Sequence, residues 1–202
     1  MGNMPFNWFD LFVVIFLVLG AFRGRKRGMS QEVLPLIKWI TLAAVCGFFY
    51  QPIATEIANG SMFSLLSASF AAYLGLALVI VAVFALVSRQ LGGKIIGSDA
   101  FGGAEYYLGI FSGVIRFACM LIFALALLNA RLFSQVEIAE RSKYMKQNFD
   151  GDFFPSLDQV QNDVFRASIT GPVIHKNLDF LLIKPTFPES KPMRPKEANL
   201  PA

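Results

Sequence analysis

The chain has 202 residues, 55% hydrophobic and 16% charged, with mean hydropathy +0.54 and formal net charge +4. Soluble domains carry about 25% charged residues, and the shortage here is concentrated: 13 charged residues fall in positions 1–130 and 19 in 131–202. This excludes one soluble core of the full length, excludes disorder in the apolar front part, and makes the positive balance a sign of positive-inside bias rather than of a nucleic-acid partner.

The N-terminus does not read as a secretory signal, because it lacks a basic leader and Asp10 interrupts the apolar core. Phe6 stands where a myristoylation signal needs Ser or Thr. Four apolar spans follow, at about residues 5–22, 33–50, 67–87 and 106–128. The uninterrupted run of the first, Leu11–Phe22, is short of the roughly 20 residues that cross a bilayer. Phe6, Trp8 and Phe9 extend it toward an interface. The second span contains Pro35 and Lys38; the third has no charge and no proline; the fourth carries Arg116 near its centre. No period-2 alternation supports a barrel, so the expected fold is all-α: a bundle of four transmembrane helices with a short, partly helical C-terminal tail.

The connecting segments set the expected orientation. Arg23, Arg25, Lys26 and Arg27 lie between spans 1 and 2, and Arg89 and Lys94 between spans 3 and 4. The segment 51–66 has Glu56 and no basic residue. The two basic connections should face the cytoplasm and both chain ends the outside. Arg131, Arg141, Lys143 and Lys146 pull the tail the other way, so its side stays open. Within the tail, Ser134–Phe149 and Pro155–Thr170 have roughly helical spacing, and Val173–Ile183 is apolar enough to lie on the membrane or on the bundle. The domain reading is a membrane unit over 1–130, an amphipathic tail over 131–184, and a proline-rich disordered end over 185–202.

A few charges stand out against this background. Asp10 heads span 1, where it serves either as a cap at the interface or as partner to a buried cation or proton. Arg116 either snorkels to the cytoplasmic headgroups or enters an ion pair within the bundle, with Ser112 placed to hydrate it. Glu32 opens span 2, near Arg27, and suits a local ion pair or a helix cap. Lys38 is placed to snorkel past Trp39. Gly109 and Gly113 form a small-residue pair three residues before Arg116; Ala43 with Gly47 and Ala71 with Gly75 are also four apart. Such pairs let helices approach closely, within the bundle or between subunits.

Catalytic and metal-binding patterns are missing. His175 is the only histidine and lies in the tail. No nucleophile elbow, zinc-protease or phosphate-loop motif occurs. Cys46 and Cys119 sit in apolar runs with no paired spacing, so neither a disulfide nor a zinc site is expected. No cofactor is expected. The basic cluster abuts a span, so anionic lipid headgroups are its expected partner.

Taken in order, Trp8-Phe9-Asp10, a span, Arg27-Gly28, Glu32 and Trp39 resemble the colicin V production protein family of bacterial inner-membrane proteins. Gly109-x-x-x-Gly113-x-x-Arg116 resembles that family's second signature, and the resemblance covers about residues 5–130. There are departures. The acidic residue before the second signature falls at Glu105 or Asp99, its usual basic neighbour is absent, and Phe117 stands where a glycine often follows the arginine. The resemblance implies a multi-spanning, non-catalytic inner-membrane protein linked to toxin production or export, or to envelope homeostasis. The alternative is a small transporter or channel component using Asp10 and Arg116. Arg27, Glu32 and Arg116 are expected to form a charged rim joining spans 2 and 4. A bundle this thin also suits self-association or a larger membrane complex.

Overall fold

A computed structural model describes residues 7–61, 63–96, 102–133 and 157–186; for 91–96 only the backbone path is described. The order is α1 (Trp8–Gly60), α2 (Leu65–Ile96), a 3-10 turn (Gly102–Ala104), α3 (Glu105–Asn129), α4 (Leu157–Phe165), α5 (Thr170–Leu178) and a second 3-10 turn (Asp179–Leu181). An isolated bridge between Arg131 and Thr186 is the one extended pairing among the described residues. The all-α expectation holds. α1, α2 and α3 are long and apolar enough to cross a membrane, and α1, at 53 residues, has length for two passes.

The first two sequence spans are one helix with a break. Gly28, at φ 72° and ψ 168°, is its non-helical residue. Only glycine adopts that backbone at little cost. Arg23–Arg27, expected in a connecting loop, are helical up to that point, because Arg and Lys are strong helix formers. The break reverses the chain. The first arm runs antiparallel to α3: Gly20 meets Gly113, Gly24 meets Gly109, and Gly28 meets Glu105. The second arm runs parallel to α3, with Glu32 at Arg116 and Trp39 at Phe123. Asp10 and Tyr50, one on each arm, accordingly both reach the C-terminal segment.

The segment 51–66, read from sequence as a loop, is helical to Gly60. Gln51, Ala54, Glu56 and Ala58 favour helix and extend it past the apolar run. Pro35 and Pro52 lie inside α1, each withholding one backbone donor. α2 folds back along the second arm, where Ala54 packs with Ala68 and Ala72, and Tyr50 meets Tyr73 edge-on at 6.1 Å. The core joins Phe9, Val13, Leu42, Cys46 and Tyr73 with Leu121 and Leu125 of α3, and with Val164, Leu182 and Ile183 of the C-terminal segment.

The C-terminal segment packs on the bundle beside Asn7 and Trp8 of the first arm and Gly47, Phe48 and Tyr50 of the second. Gln161 donates to the Leu128 and Arg131 carbonyls, Asn129 donates to the Ile183 carbonyl, and the Lys184 amide donates to the Tyr50 hydroxyl. This puts residues 157–186 on the same side as the N-terminal end of α1. Ser134–Phe149, read as helical, and most of the proline-rich end lie outside the described residues.

Candidate functional site

The site begins with two glycine faces. Gly20, Gly24 and Gly28 recur every fourth residue along the first arm and so share one side of it. They lie against Gly109 and Gly113 of α3 at backbone contact. A Cβ added to Gly24 would overlap the Gly109 carbonyl, and one added to Gly113 would overlap the Gly20 carbonyl. Backbones come this close only where both surfaces lack side chains. The other sequence pairs differ. Gly47 takes the Leu181 backbone, with an added Cβ 2.9 Å from its Cα, whereas Gly75 has no atom within 4 Å of that position and Ala71 is exposed.

Arg116 follows Gly113 by three residues and falls on the same side of α3. Its guanidinium Nη1 lies 2.6 Å from Glu32 Oε2. The Glu32 side chain is wholly buried and that of Arg116 is 5% exposed. Arg116 therefore does not snorkel to headgroups; it takes the ion-pair alternative. The expected trio of Arg27, Glu32 and Arg116 does come together, with Glu32 between the two arginines, and joins the second arm of α1 to α3. Arg27 approaches Glu32 from the half-exposed side, with Nη1 3.6 Å from Oε1. Ser112 does not hydrate the pair: its hydroxyl donates to the Gly109 carbonyl at 3.1 Å. The Phe117 ring lies 5.2 Å from the Arg116 guanidinium carbon. Lys38 holds its ammonium 5.9 Å from the Trp39 ring, and Trp39 packs edge-on to Phe123.

Asp10 is buried at the opposite end of the first arm. It completes a capping box, accepting from the Asn7 amide at 3.1 Å while Asn7 accepts from the helix start. The same carboxylate accepts from the Ile169 amide (3.0 Å), the Thr170 amide (2.9 Å) and the Thr170 hydroxyl (2.7 Å). One side chain thus caps α1 and the start of α5. Its partners are N–H and O–H donors rather than a buried cation. Asp10 and Arg116 are not brought together. His175, half exposed, lies 3.7 Å from Asp179, and no cluster of metal-ligating residues occurs among the described residues. A cavity of about 670 Å³ lies among Asn129, Gln161, Arg166, His175 and Lys176, well away from Arg116.

The family model described as Colicin V production protein matches residues 9–149. The chain belongs to the colicin V production protein family. Searches of curated proteins and of solved structures each find no match. The family match runs past residue 130, where the sequence resemblance was expected to stop, and ends before α4. Every residue of the glycine faces and the ion pair lies within it; the partners of Asp10 in the C-terminal segment do not.

In this member of the family, sequence reasoning missed Gly20 and Gly24. Their signal was legible: with Gly28 they repeat at i, i+4 and i+8, the same face logic already applied to Gly109 and Gly113. It also missed Ser168. That hydroxyl donates to the Val164 carbonyl and accepts from the Gly171 amide, closing the turn that presents Ile169 and Thr170 to Asp10.

Proposed function

We propose that this colicin V production family member is a non-catalytic, multi-pass protein of the bacterial inner membrane that supports toxin production or export, or envelope homeostasis, as a structural component. The observation that carries this reading is the buried Glu32–Arg116 pair. Charges at membrane depth mark transport paths or proton relays when they line water. Here the two close on each other behind glycine faces already in backbone contact, and Asp10 is spent on capping. These ionisable groups hold helices together. In this reading both arms of α1 cross the bilayer, giving four passes. The exposed Arg23, Arg25, Lys26 and Arg27 sit on the cytoplasmic face among anionic headgroups, beside the exposed Tyr106 and Tyr107.

The test uses a bacterial strain lacking its own family member and carrying the colicin V system. Expression of this chain should restore toxin release or envelope integrity, read as exclusion of an otherwise impermeant dye, while purified protein in liposomes should pass no ions or small solutes above empty vesicles. Failure to restore either phenotype, or a flux abolished by Arg116→Ala, would overturn the reading.

A further inference from the structure

The depth of the C-terminal segment follows from the helices that it touches. At 1.5 Å per residue, α1 climbs about 28 Å from Trp8 to Arg27 and returns about 30 Å from Gly28 to Phe48, one hydrocarbon thickness each way. Trp8 and Phe48 therefore share one level. Tyr106 and Tyr107, next to Glu105 and Gly28, mark the other. Exposed Trp and Tyr favour the two membrane interfaces, which fits this spacing.

The segment is fastened at the level of Trp8 and Phe48. Trp8 Nε1 donates to Asp163 Oδ2 at 3.2 Å. The Leu181 backbone sits against Gly47, and the Lys184 amide donates to the Tyr50 hydroxyl at 2.8 Å. The Phe180 ring stacks on Phe48 with centroids 5.6 Å apart. These contacts hold the segment beside the helix ends at interface depth, not above them.

Its two sides differ. Val164, Gly171, Leu182 and Ile183 are buried inward. Ile169, Val173 and Phe180 point outward, 36%, 56% and 52% exposed. Val173 follows Ile169 by four residues and so shares its side of α5. Phe180 follows in the 3-10 turn and reaches the same outer surface through its stacking on the exposed Phe48. The exposed Lys176, three residues after Val173, stands at the edge of the cavity. Phe48, under Phe180, is itself exposed beside Phe49 on the apolar outer surface of α1. The outward stripe of the segment thus continues the lipid-facing surface of the bundle. An apolar stripe flanked by a lysine at this depth has the composition of a helix lying in the plane of a membrane.

We infer that residues 169–180 form a monotopic anchor. Ile169, Val173 and Phe180 enter the interfacial layer of the leaflet around Trp8, and Lys176 extends its ammonium to lipid phosphate. The occupant of this face is lipid. The inference rests on membrane residence and is independent of the role in toxin production or envelope homeostasis.

The test places a nitroxide at Val173→Cys in the full chain, with Cys46→Ala and Cys119→Ala, in vesicles of phosphatidylethanolamine and phosphatidylglycerol. Collision with oxygen should exceed collision with a water-soluble nickel chelate severalfold. Nickel in excess would show a water-facing stripe, and shielding from both would show a protein-covered one; either overturns the anchor. Should the cysteine-free chain fail to fold, Val173→Trp in the native background serves instead. Its added fluorescence should be quenched by lipids brominated near the headgroup, and unchanged emission would overturn the inference.

Discussion

Glu32 Oε2 and Arg116 Nη1 lie 2.6 Å apart with both side chains closed off from the surroundings, joining the second arm of α1 to the middle of α3. Removing one partner leaves an uncompensated buried charge, which costs about 3–5 kcal/mol, whereas replacing both with apolar residues is often neutral. Glu32→Ala should therefore sharply lower the unfolding temperature in detergent, and Glu32→Leu with Arg116→Leu should recover most of the loss. Arg27→Ala, at the half-exposed 3.6 Å contact, should cost less than about 1 kcal/mol. Equal losses for the two single variants, with no recovery in the double, would contradict the pairing.

The glycine faces give a positional prediction. Gly24→Leu must push the first arm off the Gly109 carbonyl. Overpacking of this kind costs about 1–3 kcal/mol or more. Gly75→Leu, with open space around it, should leave the monomer as stable as before. Thermal denaturation followed by circular dichroism compares the two.

Asp10 predicts a local effect. Hydrogen bonds to a charged group contribute about 1.5–3 kcal/mol each, and Asp10 accepts from two amides at the start of α5. Asp10→Ala should speed hydrogen exchange at Ile169 and Thr170 far more than at Glu32. Unchanged exchange there would show the tail held by other contacts.

Much of this was legible in the sequence, and the limits have physical causes. The apolar runs locate α2 and α3, and α3 nearly to the residue, because a membrane demands about 20 apolar residues. α2 runs on to Ile96, so Arg89 and Lys94, expected in a connection, lie in the helix. The α1 break was misplaced into a loop because Arg23–Arg27 look like a connection by charge, while their helix propensity is high. Asp10 as a cap was readable from Asn7 three residues before it. Its second role was not, because Ile169 and Thr170 contribute backbone amides, which any residue carries. The partner of Arg116 was readable only as one candidate, since burial decides between snorkelling and pairing and no residue type encodes it.

Tyr73 offers a test of opposite sign. Its ring is fully buried against Phe123 at 5.1 Å, and its hydroxyl has no hydrogen-bond partner among the described residues. Burying a polar group without compensation costs about 1–3 kcal/mol. Tyr73→Phe should raise the unfolding temperature, or at least leave it unchanged. A clear drop would reveal a partner for the hydroxyl.

Sidedness is also measurable. Single cysteines at Lys26 and at Asn177 should react with a membrane-impermeant maleimide from opposite faces of intact vesicles, and Ser61→Cys should follow Asn177. Labelling of Lys26→Cys and Asn177→Cys from one face would break the antiparallel arrangement of the arms.

The reach of Asp10 has a consequence for how the protein is made. Its carboxylate sits three residues into the first helix, yet its partners Ile169 and Thr170 lie 159 and 160 positions later. At about 5–20 residues per second, the ribosome needs on the order of 10 s to supply them. Through that interval the acid has, of these partners, only the Asn7 amide to accept from. A helix made late, α5, is thus the one that completes the first, and a nascent chain cut short after α3 would lack those downstream donors.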